Sequence, residues 1–85
     1  MKTFKDLEFT DKDHIDGQRA VLEFDNGYGI SVITGYGAYG NTESPYEIAI
    51  LKEGSLCYDT PITNDVIGYN TAEEVTEYMK QIQEL

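Results

Sequence analysis

One cysteine, Cys57, and one histidine, His14, are all that the 85 residues provide of the two side chains most used in metal and nucleophile chemistry. A lone cysteine forms no internal disulfide, and one residue of each type excludes a four-ligand zinc site or a Cys-His pair argued from spacing. Long hydrophobic runs are missing too: nothing approaches the ~20 apolar residues that span a bilayer. The start, Met1-Lys2-Thr3-Phe4-Lys5-Asp6, meets charge where a signal peptide carries an apolar stretch. These shortages predict a chain that works in a reducing cytoplasm. Basic residues are also scarce. Six Lys and Arg stand against sixteen Asp and Glu, a formal net charge of −10. Such a field repels nucleic acid and anionic lipid and attracts basic protein surfaces over roughly a Debye length of ~8 Å.

What is present argues against a disordered acidic tail. The apolar fraction is 40%, with seven Tyr and three Phe, enough for a small core. The length predicts one domain over residues 1–85, burying about 60% of the surface that its unfolded chain exposes. Ala20, Leu22 and Phe24 alternate with polar neighbours, and Asp25-Asn26-Gly27 follows at once, the strongest hairpin signal in the chain. The return strand runs over residues 28–34, with Ile30 and Val32 on the buried face and Ile33 partly covering the other. Residues 46–51 and 56–58 form a second hairpin around Lys52-Glu53-Gly54-Ser55, and residues 7–10 add an edge strand or one helical turn. Residues 59–70 read as a turn-rich connection pinned by Pro61.

The period then changes. Thr71-Ala72-Glu73-Glu74 fits a capping box, and Ala72, Val75, Met79 and Ile82 recur at helical spacing. The fold class expected is therefore α+β: a small antiparallel sheet of four to five strands with a C-terminal helix packed on one face.

No residue set spells out a reaction. Gly35-Tyr36-Gly37-Ala38-Tyr39-Gly40 matches G-x-G-x-x-G, but a strand rather than a helix follows it, so a loop joining two strands is the expectation. The turn over residues 11–17 resembles a calcium loop with its register off by one, because Ile15 takes a ligand position and Asp16 the glycine position. It reads as a solvated acidic turn. Cys57 is expected as a small buried apolar residue, and Ser31, Ser44 and Ser55 lack an elbow motif. The expectation is a protein without catalytic residues, metal or cofactor. Tyr offers a large apolar face with a polar tip at small entropy cost, which suits contact surfaces. The candidate partner-binding residues are Tyr36, Tyr39 and Glu43 of the glycine loop with Asp11, Asp13 and Asp16 of the acidic turn.

The segments Met1-Lys2-Thr3-Phe4-Lys5-Asp6-Leu7-Glu8-Phe9, Phe24-Asp25-Asn26-Gly27-Tyr28-Gly29-Ile30-Ser31-Val32 and Leu56-Cys57-Tyr58-Asp59-Thr60-Pro61-Ile62-Thr63, with the Thr71-Ala72-Glu73-Glu74-Val75 helix start, resemble small uncharacterised acidic proteins of bacteriophage and prophage genomes. The resemblance covers most of the chain and brings no catalytic or ligand residues. It implies a phage accessory protein inside a bacterium, of the kind that inhibits host enzymes or defence systems, anti-CRISPR proteins included. In related chains the region around Gly35 to Gly40 varies in length, as an adaptable surface loop does. The leading expectation is a non-enzymatic protein that binds a basic site on a bacterial host protein, its carboxylates imitating nucleic-acid phosphates. Two alternatives stand beside it. In one, the glycine loop cradles and sequesters a nucleotide signal, with Arg19 and Lys52 supplying a basic pocket on oligomerisation; in the other, the chain is a virion or structural component.

Overall fold

A computed structural model describes residues 1–12 and 16–85. The chain builds a six-stranded antiparallel sheet and one C-terminal helix, the α+β class that its patterning predicts. The strands are β1 (Thr10–Asp11), β2 (Gly17–Glu23), β3 (Tyr28–Gly35), β4 (Tyr46–Lys52), β5 (Ser55–Leu56) and β6 (Ile67–Asn70), and the helix is α1 (Ala72–Gln83). Their order is β1-β2-β3-β4-β5, with β6 pairing the other half of β4.

Both hairpins form where the turn residues place them. Gly27 adopts φ 87°, and Phe24 and Tyr28 close the first turn through a 2.8 Å bond from the Phe24 N–H to the Tyr28 carbonyl. In the second, Glu53 and Gly54 both take positive φ, 51° and 84°, as a two-residue turn must to follow the right-handed twist of its strands. Asn26 also ties the first hairpin to the helix, its side-chain amide donating to the Ile82 carbonyl at 2.9 Å.

The helix begins as expected. Thr71 Oγ1 accepts from the Glu74 N–H at 3.2 Å, and the Glu74 carboxylate accepts from the Thr71 N–H at 2.9 Å. Val75, Met79 and Ile82 are fully buried. They pack on Ala20, Ile30, Val32, Ile48 and Ile50, which the pleat turns to the same side. Ala72, expected on that face, is only half-buried. Phe4, Phe9 and Tyr46 close one end of the core with ring centroids 5.1 to 5.8 Å apart.

Three boundaries differ from expectation. The first helical turn is a 3-10 turn, Phe4–Asp6, and strand pairing starts only at Thr10, because Leu7 is drawn into the core. The short β5 ends at Leu56, where Cys57 turns inward to join the buried cluster. The connection over residues 59–70 ends in a strand. β6 is held against β4 by the pairs Tyr46↔Asn70 and Ile48↔Ile67, and Asn70, the one buried polar residue among those described, donates to the carbonyls of Tyr46 and Ile67 at 3.1 and 2.8 Å.

Candidate functional site

The glycine loop and the acidic turn meet because β2 and β3 are paired to their ends. Gly17 lies opposite Gly35, and a Cβ on Gly35 would fall 2.5 Å from the Gly17 Cα, so the approach requires glycine. The Tyr36 N–H donates to the Asp16 carbonyl at 3.0 Å, and the Lys12 ammonium donates to the Tyr36 carbonyl at 2.9 Å. Asp16 and Tyr36 are thus brought together. Asp11 joins them from β1, opposite Gln18, whose amide donates to the Asp11 carboxylate at 3.3 Å. Asp13 and His14 lie outside the described residues. The cluster carries Lys12 as well as carboxylates, a cation that the acidic reading of this turn did not weigh.

Beyond Tyr36 the loop is pinned rather than free. The Tyr39 N–H donates to the Glu47 carboxylate at 2.9 Å, and its carbonyl accepts from the Tyr69 N–H of β6 at 2.9 Å. Asn41 takes the amides of Glu43 and Ser44 on its side-chain oxygen at 3.0 and 2.7 Å, setting the return toward Pro45. The result is a ridge of exposed rings: Tyr36 is 73% exposed and Tyr39 62%, while Tyr69, brought alongside Tyr39, is 57% exposed. Glu43 is exposed on the returning arm.

Tyr69 is the exposed ring of this group that sequence reasoning missed. It sits in a four-residue strand interrupted by Gly68, and its own φ of 59° is rare for a large side chain. Only its pairing with the distant Tyr39 places it here. Gly68 is part of that placement, since a Cβ there would fall 2.6 Å from the Tyr39 Cβ.

Each glycine of the G-x-G-x-x-G run has a local structural role. Gly35 admits Gly17, Gly37 makes a turn at φ 87°, and a Cβ on Gly40 would lie 2.7 Å from the Pro45 backbone. The next element is β4, so the loop meets no helix N-terminus. Arg19 on β2 lies opposite Ile33, whereas Lys52 closes β4 with its ammonium 5.4 Å from the centre of the Tyr28 ring.

Charge is spread over the whole surface. None of the described carboxylates is buried, and one ion pair forms among them, Lys80 with Glu77 at 3.9 Å within the helix. Among the described residues no cluster of His, Cys, Asp and Glu has the geometry to hold a metal. An open cleft of about 610 Å³ runs beside β5, lined by Lys52, Leu56, Cys57, Tyr58 and Asp59 among others. At its wall Cys57 is buried with its thiol donating to the Asp59 carboxylate at 3.0 Å, the packing role expected of it. No helix of the described residues is long and apolar enough to cross a membrane.

Comparison with protein-family models, with curated proteins and with solved structures finds no match.

Proposed function

We propose that this chain is a non-enzymatic accessory protein that binds and inhibits a bacterial host protein through a basic, nucleic-acid-handling surface. One observation carries the reading. Fifteen described carboxylates stand at or near the surface around a net charge of −10, and within ion-pair distance they share a single internal cation, Lys80. Charge that the fold leaves unpaired is available to a partner, and it favours one lined with Lys and Arg, where it displaces phosphates.

The tyrosine ridge supplies the specific contact. Tyr36, Tyr39 and Tyr69 add rigid apolar area beside Asp11, Asp16 and Glu43, the mixture that gives an electrostatically steered complex its slow dissociation. Affinity capture from a bacterial lysate, with the chain as bait, tests the reading. The expected result is a basic protein retained at low salt, released at high salt and released also by added oligonucleotide. The combined variant Tyr36→Ala, Tyr39→Ala and Glu43→Gln keeps the fold and weakens capture. Retention that survives high salt and is indifferent to oligonucleotide would contradict the proposal, and undiminished capture by the variant would move the contact elsewhere.

A further inference from the structure

The two edges of the sheet are finished differently. Along β4 the far edge is shared by β5 and β6, and β6 is closed in turn by the Tyr39 carbonyl, which accepts the Tyr69 N–H. β2 is covered only in part. Pairing alternates along an antiparallel strand, and the Phe24 N–H donates to the Tyr28 carbonyl, so Leu22, Ala20 and Gln18 turn their main chain toward β3. Gly17, Arg19, Val21 and Glu23 therefore turn theirs outward. Two of these are taken: the Gly17 carbonyl accepts the Lys12 N–H at 3.1 Å, and Arg19 pairs with Thr10. There β1 ends, because Leu7 is drawn into the core and the 3-10 turn packs on α1. Among the described residues nothing bonds the main-chain N–H or C=O of Val21 and Glu23. Neither bulge nor proline blunts this stretch, since the register with β3 runs without a shift from Gly17 to Glu23.

We infer that this open edge pairs with its own counterpart in a second copy of the chain, antiparallel about a two-fold axis at Leu22. Val21 of each copy then faces Glu23 of the other, and the outward N–H and C=O of both residues find partners on each side of the axis. The side chains favour a second copy over a foreign strand. Arg19, Val21 and Glu23 share the face away from the helix, and reversing the strand carries the guanidinium of one copy diagonally toward the carboxylate of the other. Neither group belongs to the ion pair found among the described residues, Lys80 with Glu77. The Glu23 carboxylate leans to within 3.6 Å of the Cβ position at Gly54, and with no ion pair there a rotamer change brings it to the edge. Val21, 56% exposed, is covered at the seam. The neighbouring strand ends at its own Asp25-Asn26-Gly27 turn, level with Arg19, so β1 keeps its place. The ten excess negative charges of each copy oppose association. Salt screens that opposition, so the dimer strengthens as salt is added. The inference stands apart from the cationic-partner reading, whose contact weakens with salt.

Sedimentation equilibrium of the full chain, over a range of protein and sodium chloride concentrations, tests the dimer. A monomer-dimer equilibrium is expected, with the dimer favoured by salt. Hydrogen exchange locates the seam: the Val21 and Glu23 amides should slow as the dimer forms, while those of Ala20 and Leu22, already turned to β3, stay unchanged. Glu23→Arg sets like charges together across the seam and should weaken dimerisation about tenfold, although it lowers the net negative charge. The exchanged pair Arg19→Glu with Glu23→Arg returns the net charge to that of the parent chain and should restore the dimer. A chain that stays monomeric up to about 1 mM at every salt concentration overturns the proposal and leaves the cationic-partner reading standing. A dimer that leaves the Val21 and Glu23 amides unprotected, or that Glu23→Arg does not weaken, overturns it as well.

Discussion

The two faces of one sheet carry similar side chains and meet different fates. On the helix side Ile30, Val32, Ile48 and Ile50 are no more than 1% exposed, in one buried cluster with Val75, Met79 and Ile82. On the other side Val21 and Leu56 are more than half exposed although they are no less apolar. Burial here is thus decided by what covers a strand, and β3 and β4 carry apolar residues on both sides. The same rule holds within the second side, where Ala49 and Leu51 are buried while Val21 and Leu56 are not.

Truncation on the covered face should have the largest effect. Ile48→Ala or Met79→Ala removes a fully buried side chain and is expected to cost about 2–5 kcal/mol in chemical denaturation, because a cavity remains where the methylenes were. Val21→Thr on the open face is expected to change stability by less than about 0.5 kcal/mol. Comparable losses at Ile48 and Val21 would erase the distinction between the faces.

Asn70→Ala comes next. It removes the bond that ties β6 to the Tyr46 carbonyl at the start of β4 and the one that braces β6 internally at the Ile67 carbonyl, at a cost of about 1–3 kcal/mol, and it should raise hydrogen exchange at Tyr69 and release Tyr39 from its partner. Thr71→Ala deletes the helix cap for about 1 kcal/mol, measured the same way, and Thr71→Ser restores it.

Smaller still are the responses to solution conditions. With one ion pair among the described residues and ten excess negative charges, added salt screens more repulsion than attraction, so the melting temperature should rise with sodium chloride. At the chain's start the Asp6 carboxylate accepts the Thr3 N–H at 2.8 Å, and this bond, helped by nearby Lys2 and Lys5, lowers its pKa from the ordinary 3.8. A carboxyl acidified by folding stabilises the fold above its unfolded pKa and loses that contribution as pH falls through the depressed value. The 3-10 turn should therefore open below pH 3.8, seen as broadening of the Thr3 and Phe4 amides, while the rest of the sheet persists.

Much of the fold was legible because the decisive signals are local. Asp25-Asn26-Gly27, Glu53-Gly54 and the Thr71 to Glu74 box each specify their own geometry through positive φ or a side-chain cap. β6 was not legible, since Ile67-Gly68-Tyr69-Asn70 has neither length nor alternation and exists by virtue of Tyr46 and Tyr39, more than twenty residues away. The candidate site divides along the same line. Tyr36 and Tyr39 are exposed as a glycine-rich loop implies, and Asp16 meets Tyr36 because hairpin pairing brings their segments together. The place of Tyr69 beside Tyr39 depends on pairing between distant segments, which no local pattern announces. The extra strand brings the sheet to six where four to five were expected, within the α+β class expected.

The central claim is that an unpaired anionic coat engages a cationic protein. Its most direct test is the affinity of the chain for the captured host protein, measured by calorimetry over a series of salt concentrations. The account predicts a steep, log-linear weakening with salt and competition by oligonucleotide; an affinity that stays constant across the series would contradict it.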